Sequence, residues 1–245
     1  MAALPSSPEY PESTPLERVL DLLFPPICVG CRRIGRWVCD RCWQGTSWLL
    51  AHRCAGCGQS FADGVCSCQR NPRHAVDELC VVATFDGTAR EAVHALKYEG
   101  RHAISGMMGR VMALAAQNVN ADVVAGVPLH ARRRRERGYD QADMLARSIA
   151  RHLGRPHEVA LKRIRYTTQQ TRLDAPARQR NVEAAFRARH DMSGRVVLLV
   201  DDVYTTGATM REAARSLKVA GATRVVGVVF ARAALGADVE GAPRR

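Results

Sequence analysis

From about residue 79 onward, the apolar residues of this chain alternate between two rhythms. Short unbroken runs at 79–83 (LCVVA), 123–127 (VVAGV), 196–200 (VVLLV) and 225–230 (VVGVVF) have the length and β-branched content of buried strands. Between them, apolar positions recur every three or four residues, as on one face of a helix. This spacing predicts helices over 88–98, 104–117, 140–153 and 210–220. Thr88 with Glu91, and Thr209 with Glu212, have capping-box spacing at two of the starts. Gly100, Gly154 and Gly221 stand where helix C-caps belong. Strands alternating with helices predict a parallel sheet with helices on both faces. Ligands of such sheets bind beyond the carboxyl ends of the strands.

Before residue 79 the pattern is different. Leu16, Val19, Leu20 and Leu23 predict one short helix, ended by Pro25 and Pro26. Residues 28–68 show almost no periodicity, and residues 1–15, rich in Pro and Ser, read as a disordered lead. No run of about 18 apolar residues exists and the start lacks signal-peptide character, so a membrane span is not expected and the expected compartment is the cytoplasm. Residues 234–245 read as a tail.

The strand at 196–200 runs directly into Asp201 and Asp202, then Tyr204, Thr205, Thr206, Gly207, Ala208 and Thr209 lead into a helix. The plain reading is a tight strand-to-helix turn. A phosphorylated sugar fits the whole string better. Backbone N–H groups and the helix dipole at the turn suit a phosphate, and the two carboxylates accept hydrogen bonds from sugar hydroxyls. Gly207 would allow close approach of backbone to ligand.

The formal charge is +12, and the excess is local: residues 128–190 contain sixteen Lys or Arg against six Asp or Glu. That concentration implies an anionic partner: a polyphosphate, a nucleic acid, or both. With only 5% aromatic residues, base-stacking platforms would be sparse. Within this region Pro128, Leu129 and His130 close a strand and lead into a basic run containing Arg133. Leaving the sheet at its carboxyl edge, this stretch is placed to meet a pyrophosphate, with nucleic-acid contact and plain solvation as the other readings. Residues 163–186 are polar, basic and long for a connection, a length usual for functional or disordered loops.

Eight of the nine cysteines lie between Cys28 and Cys68. Cys28, Cys31, Cys39 and Cys42 form two CxxC pairs able to close a tetrahedral zinc site, with an iron–sulfur cluster or free thiols as alternatives. Cys54, Cys57, Cys66 and Cys68 form a second set whose last pair is one residue short, so a second zinc there and an interleaved pairing with the first set both stay open. Cys80, inside an apolar run, reads as a core thiol.

The string at 196–209 resembles the phosphoribosyl pyrophosphate signature of type I phosphoribosyltransferases. That resemblance implies ribose contacts at Asp201 and Asp202, and a 5′-phosphate loop from Tyr204 to Thr209. It also implies a pyrophosphate loop at Pro128, Leu129, His130 and Arg133. The spaced residues Thr167, Gln170, Leu173, Arg178, Asn181, Val182 and Phe186, together with the stretch beginning VPLHARRRRERGYDQA, the LKYEG run and the Cys-rich start, resemble the ComF family, which includes competence proteins of natural transformation. The resemblance covers nearly all of 20–232. It implies a mobile loop carrying Gln170, Arg178 and Asn181, and a type I phosphoribosyltransferase-like parallel sheet flanked by helices (78–233) behind a small N-terminal Cys-rich zinc module (16–70). The implied ligand is phosphoribosyl pyrophosphate with Mg²⁺ carried mainly on substrate oxygens, and the implied activity is transfer to an acceptor that no segment identifies. The alternative is a protein handling single-stranded DNA in uptake or recombination beside a competence helicase-like partner, with the sugar-phosphate site regulatory or non-catalytic.

Overall fold

A computed structural model describes residues 7–8, 25–54, 75–165 and 184–233. In chain order the elements are α1 (Asp40–Gln44), β1 (Trp48–Arg53), β2 (Glu78–Thr84), α2 (Gly87–Tyr98), α3 (Ile104–Ala116), β3 (Val123–Gly126), α4 (Ala131–Arg137), α5 (Gln141–Leu153), β4 (Leu161–Arg163), β5 (Phe186–Ala188), β6 (Val196–Tyr204), α6 (Ala208–Val219) and β7 (Arg224–Arg232). Five strands form one sheet in the order β1-β2-β7-β6-β3, and β4 pairs with β5 as a separate ribbon. The four strands expected from the apolar runs are all mutually parallel, while β1 adds an antiparallel edge on β2.

The central strands are buried on both faces, which explains why they read as continuous apolar runs rather than alternating ones. One face packs against α3 and α5 through residues such as Met108, Met112, Leu145 and Ile149. The other packs against α6 and the β4–β5 ribbon through Leu161, Phe186, Met210 and Leu217. Close approach of α5 to β3 depends on Gly126. A Cβ there would lie 2.7–2.8 Å from backbone atoms of Ala142 and Asp143, which cannot rotate aside.

Several expected ends shift. β6 runs on to Tyr204, so Asp201 and Asp202 lie within the strand and not after it. Neither capping box forms. α6 starts at Ala208 with Gly207 as N-cap, and Glu212 instead accepts the Ala184 N–H at 2.9 Å. α2 starts at Gly87 after Asp86, and Glu91 pairs with Arg90. In contrast, α5 is capped as a helix start should be: Asp140 Oδ1 accepts from the N–H groups of Ala142 and Asp143, and left-handed Gly154 closes the other end. The basic run expected to be a loop is the helix α4, which His130 and left-handed Gly138 bracket. The short helix expected at 16–23, the lead at 1–15 and the tail at 234–245 lie outside the described residues. Among the described residues no helix is long and apolar enough to cross a membrane.

The Cys-rich segment packs onto this frame. Arg101, in the turn between α2 and α3, donates to the Ile27 carbonyl at 2.9 Å and lies 5.4 Å above the ring of Trp37. Trp43 is buried, and its ring lies 4.6 Å from that of Trp48 at the start of β1.

Candidate functional site

The acidic pair stands at the carboxyl edge of the sheet. Asp202 is almost fully buried, and its Oδ1 lies 2.6 Å from Lys97 Nζ at the end of α2. Its Oδ2 is buried and has no hydrogen-bond partner among the described residues. Buried carboxylate oxygens are normally satisfied, so this one is poised to receive a donor. Asp201 is half-buried and accepts the Asp202 N–H at 2.8 Å. Burial and the neighbouring Asp202 charge push its carboxyl up to about 7, against the opposing pull of Lys97. Burial alone would lower the pKa of Lys97, but the two aspartates outweigh it and raise it. Burial, with Arg133 nearby, lowers the pKa of Arg163 at the end of β4, against the opposing pull of Asp201 and Asp140.

Beyond the pair, Tyr204 is buried while Thr205 is exposed and Thr206 half-buried. Arg211 donates to the Thr206 carbonyl at 2.7 Å, bracing the turn from within α6. Gly207 has φ +72°, and a Cβ there would run into the ring of Tyr204. The glycine is therefore required first by its neighbour Tyr204. Ala208, Thr209 and Met210 form the first turn of α6, whose N–H groups have no earlier helical carbonyl to bond.

On the facing side, the Leu129 N–H donates to Asp140 Oδ2 at 2.8 Å, and the Arg132 N–H to His130 Nδ1 at 3.2 Å. Two backbone donors of the expected pyrophosphate loop are thus already engaged. Helical geometry divides the arginine run. Arg133 and Arg137, one turn apart, line a cavity of about 320 Å³ together with Lys97, Tyr98 and Tyr139, while Arg132, Arg134 and Arg135 stay exposed. Lys97 and Arg163 were not among the site residues expected from the sequence. Lys97 stands 105 positions from Asp202, and only the packing of α2 across the sheet edge joins them. Gln170, Arg178 and Asn181 lie outside the described residues.

In the Cys-rich segment, the sulfurs of Cys28, Cys31, Cys39 and Cys42 all lie within 4.8 Å of one another. The first set therefore closes on itself and does not interleave with Cys54. The residues fit a tetrahedral thiolate site for zinc. The Cys39 N–H points at Cys28 Sγ at 3.4 Å, a backbone donor of the kind that tunes metal-bound sulfur. Burial opposes ionisation of Cys28, yet N–H groups from Cys31, Cys39 and Gly30 bring it down to about 6. Burial and the neighbouring thiols push Cys42 up to about 12. Cys54 is buried, and Cys57, Cys66 and Cys68 lie outside the described residues.

Fold and site together define a class: an α/β domain of the phosphoribosyltransferase type joined to a cysteine-rich metal module. Residues 140–241 match the family described as "Phosphoribosyl transferase domain", and residues 19–80 match "Double zinc ribbon domain". With the four clustered sulfurs, the second match supports structural zinc. The chain is 31% identical over 223 residues to the DNA utilization protein YhgH of Escherichia coli O6:H1, covering 83% of this chain and 96% of that protein. It is 27% identical over 210 residues to competence protein F of Haemophilus influenzae, covering 81% and 87%. With competence protein ComFC of Bacillus subtilis it shares 28% identity over 191 residues, covering 74% and 77%. The chain belongs to the ComF family.

Proposed function

We propose that the carboxyl-edge site binds phosphoribosyl pyrophosphate with Mg²⁺ and that the protein is a phosphoribosyltransferase. The observation that carries this reading is the Asp201–Asp202 pair beside Lys97, with a buried carboxylate oxygen that no described residue satisfies, six residues before the N-terminus of α6. Ribose hydroxyls would donate to Asp201 and to Asp202 Oδ2, and the residues from Tyr204 to Thr209 would surround the 5′-phosphate. Lys97, Arg133 and Arg137 around the cavity, with Arg178 of the 163–186 segment, would hold the pyrophosphate near Pro128, Leu129 and His130. In the reaction, the bond from C1 to the pyrophosphate oxygen breaks and a bond from C1 to the acceptor forms. Pyrophosphate leaves with the electron pair, and preorganised cations stabilise its developing charge. Mg²⁺ suits these hard oxygen donors and, when bound, neutralises the polyphosphate.

In the same reading residues 16–70 are a zinc-held module and 78–233 the catalytic domain, with Cys54, Cys57, Cys66 and Cys68 holding a second zinc. The protein works in the cytoplasm, where its thiols stay reduced for metal. Calorimetric titration of phosphoribosyl pyrophosphate with Mg²⁺ tests the site. The wild type should bind, and Asp201→Asn should bind at least about tenfold more weakly, a loss of one charge-assisted hydrogen bond or more. This variant keeps the Lys97–Asp202 pair, so its melting temperature should not fall below that of the wild type. A wild type without heat of binding, or a variant that binds equally well, would overturn the reading.

One observation favours a second activity, contact with single-stranded DNA. α4 has no buried residue and presents Arg132, Arg134 and Arg135 outward, and relatives carry the names DNA utilization protein and competence protein. DNA affinity should fall steeply with salt, and Arg132→Gln/Arg135→Gln should flatten that slope by about two counterions. An unchanged slope would exclude α4 as the DNA-contacting surface.

A further inference from the structure

Away from the edge site, three chemically different donors meet where β1 joins β2. His52 of β1 and Cys80 of β2 are directly paired residues, and Glu78 lies two positions before Cys80 on the same face of the sheet. One donor atom from each lies within 4.8 Å of the others. Cys80 is fully buried; Glu78 and His52 are 15% and 31% exposed at their side chains. None of the three serves the acidic pair at the other end of the sheet.

The hydrogen bonds around the imidazole fix its orientation. His52 Nε2 lies 3.0 Å from the Ala115 carbonyl, which can only accept, so Nε2 carries a proton. Nδ1 then faces Glu78 Oε1 directly and lies 3.7 Å from Cys80 Sγ. In the neutral ring Nδ1 is a lone pair aimed at a carboxylate oxygen, an arrangement that requires a cation between them. Glu78 already has a positive partner, because Arg224 donates to its other oxygen at 2.6 Å. A histidine whose remote N–H is tied to a backbone carbonyl and whose other nitrogen faces a thiol and a carboxylate has the arrangement of a metal ligand with its outer shell in place. The nitrogen–sulfur spacing also agrees, whereas Glu78 Oε1 must draw back from Nδ1 to reach a corner of its own. With zinc–sulfur and zinc–nitrogen bonds of about 2.3 and 2.0 Å, the edge of a tetrahedral site is about 3.5 Å.

We propose that His52 Nδ1, Cys80 Sγ and Glu78 Oε1 form a metal site for a thiophilic divalent cation such as zinc, separate from the cysteine sets. Imidazole, thiolate and carboxylate are three of zinc's ordinary ligands, and the fourth position is open to water past the exposed edge of His52. Glu78 moves off Nδ1 to its own corner as the ion enters. The competitor is a proton: without metal, Cys80 and Glu78 hold the imidazolium up to about 10. Binding therefore releases the Nδ1 proton and the Cys80 thiol proton, and the ion ties β1, the strand that follows the first cysteine set, to the parallel sheet.

The test uses the full-length protein, reconstituted with zinc and freed of loosely bound metal. Zinc per chain is compared among wild type, Cys80→Ala and Glu78→Gln. Each variant should lose one equivalent while retaining the zinc held by Cys28, Cys31, Cys39 and Cys42. Because Cys80 is a core residue, zinc X-ray absorption of the wild type gives a readout that needs no variant. A shell of nitrogen and oxygen scatterers beside sulfur is expected. A sulfur-only shell, or variants holding as much zinc as the wild type, would overturn the proposal and leave an imidazolium–carboxylate pair beside a core thiol.

Discussion

Asp202 has Lys97 against one oxygen, whereas Asp201 meets the cost of burial next to another acid. That difference has a pH consequence with a definite sign. In the unfolded chain Asp201 loses its proton near pH 4, and in the folded protein near 7. Between those values the native state binds more protons, so this group's stabilising effect is complete below about pH 4 and disappears as pH rises through 7. Asp201→Asn removes the titration. Relative to wild type it should gain stability between pH 5 and 8, by a few kcal/mol at most. Urea denaturation at several pH values checks this, and a difference that stays flat with pH would contradict the burial of Asp201. The acids themselves were legible in the sequence, because an apolar run that ends in two aspartates has few structural explanations. Lys97 was not legible as a site residue, since it reaches the pair only through the packing of a separate element.

At the scale of elements, Asp140 does two tasks. One oxygen caps α5, and the other holds the Leu129 N–H at the end of β3. Asp140→Ala should cost about 1 kcal/mol of stability for the lost cap, while Asp140→Asn, itself a good cap, should keep most of it. Equal stability of the two variants in chemical denaturation would show that the cap contributes little. The sequence located α3 by its dense apolar periodicity alone and α5 by a periodicity that agrees with its ends, Asp140 and Gly154. It misplaced the start of α6, where left-handed Gly207 rather than Thr209 is the N-cap and the helix begins at Ala208. It also read α4 as a loop. A run of charges has no apolar stripe to reveal a helix, yet arginine is a good helix former and the turn is bracketed by His130 and Gly138.

Across the whole molecule, α2 begins after β2 and delivers Lys97 to the end of β6, spanning the edge of β7 that lies between them. The turn that follows α2 holds the Cys-rich segment through Arg101. The metal module and the acidic pair therefore share one support, the stretch from Lys97 to Arg101. This connection was invisible in the sequence, where the cysteines and the acidic motif stand more than 130 residues apart. The alternation of strand and helix and the cysteine spacing were visible, because both are local patterns. The antiparallel edge β1 was not, since WLLAHR carries neither clean alternation nor a continuous apolar run.

The most direct test of the central claim is a crystal structure of the full-length chain with phosphoribosyl pyrophosphate and Mg²⁺. The account predicts ribose hydroxyls within hydrogen-bond reach of Asp201 and Asp202 Oδ2, and the 5′-phosphate on the backbone of Gly207 and the first turn of α6. Ligand held elsewhere, or an acidic pair that stays in contact only with Lys97 at saturating ligand, would contradict it.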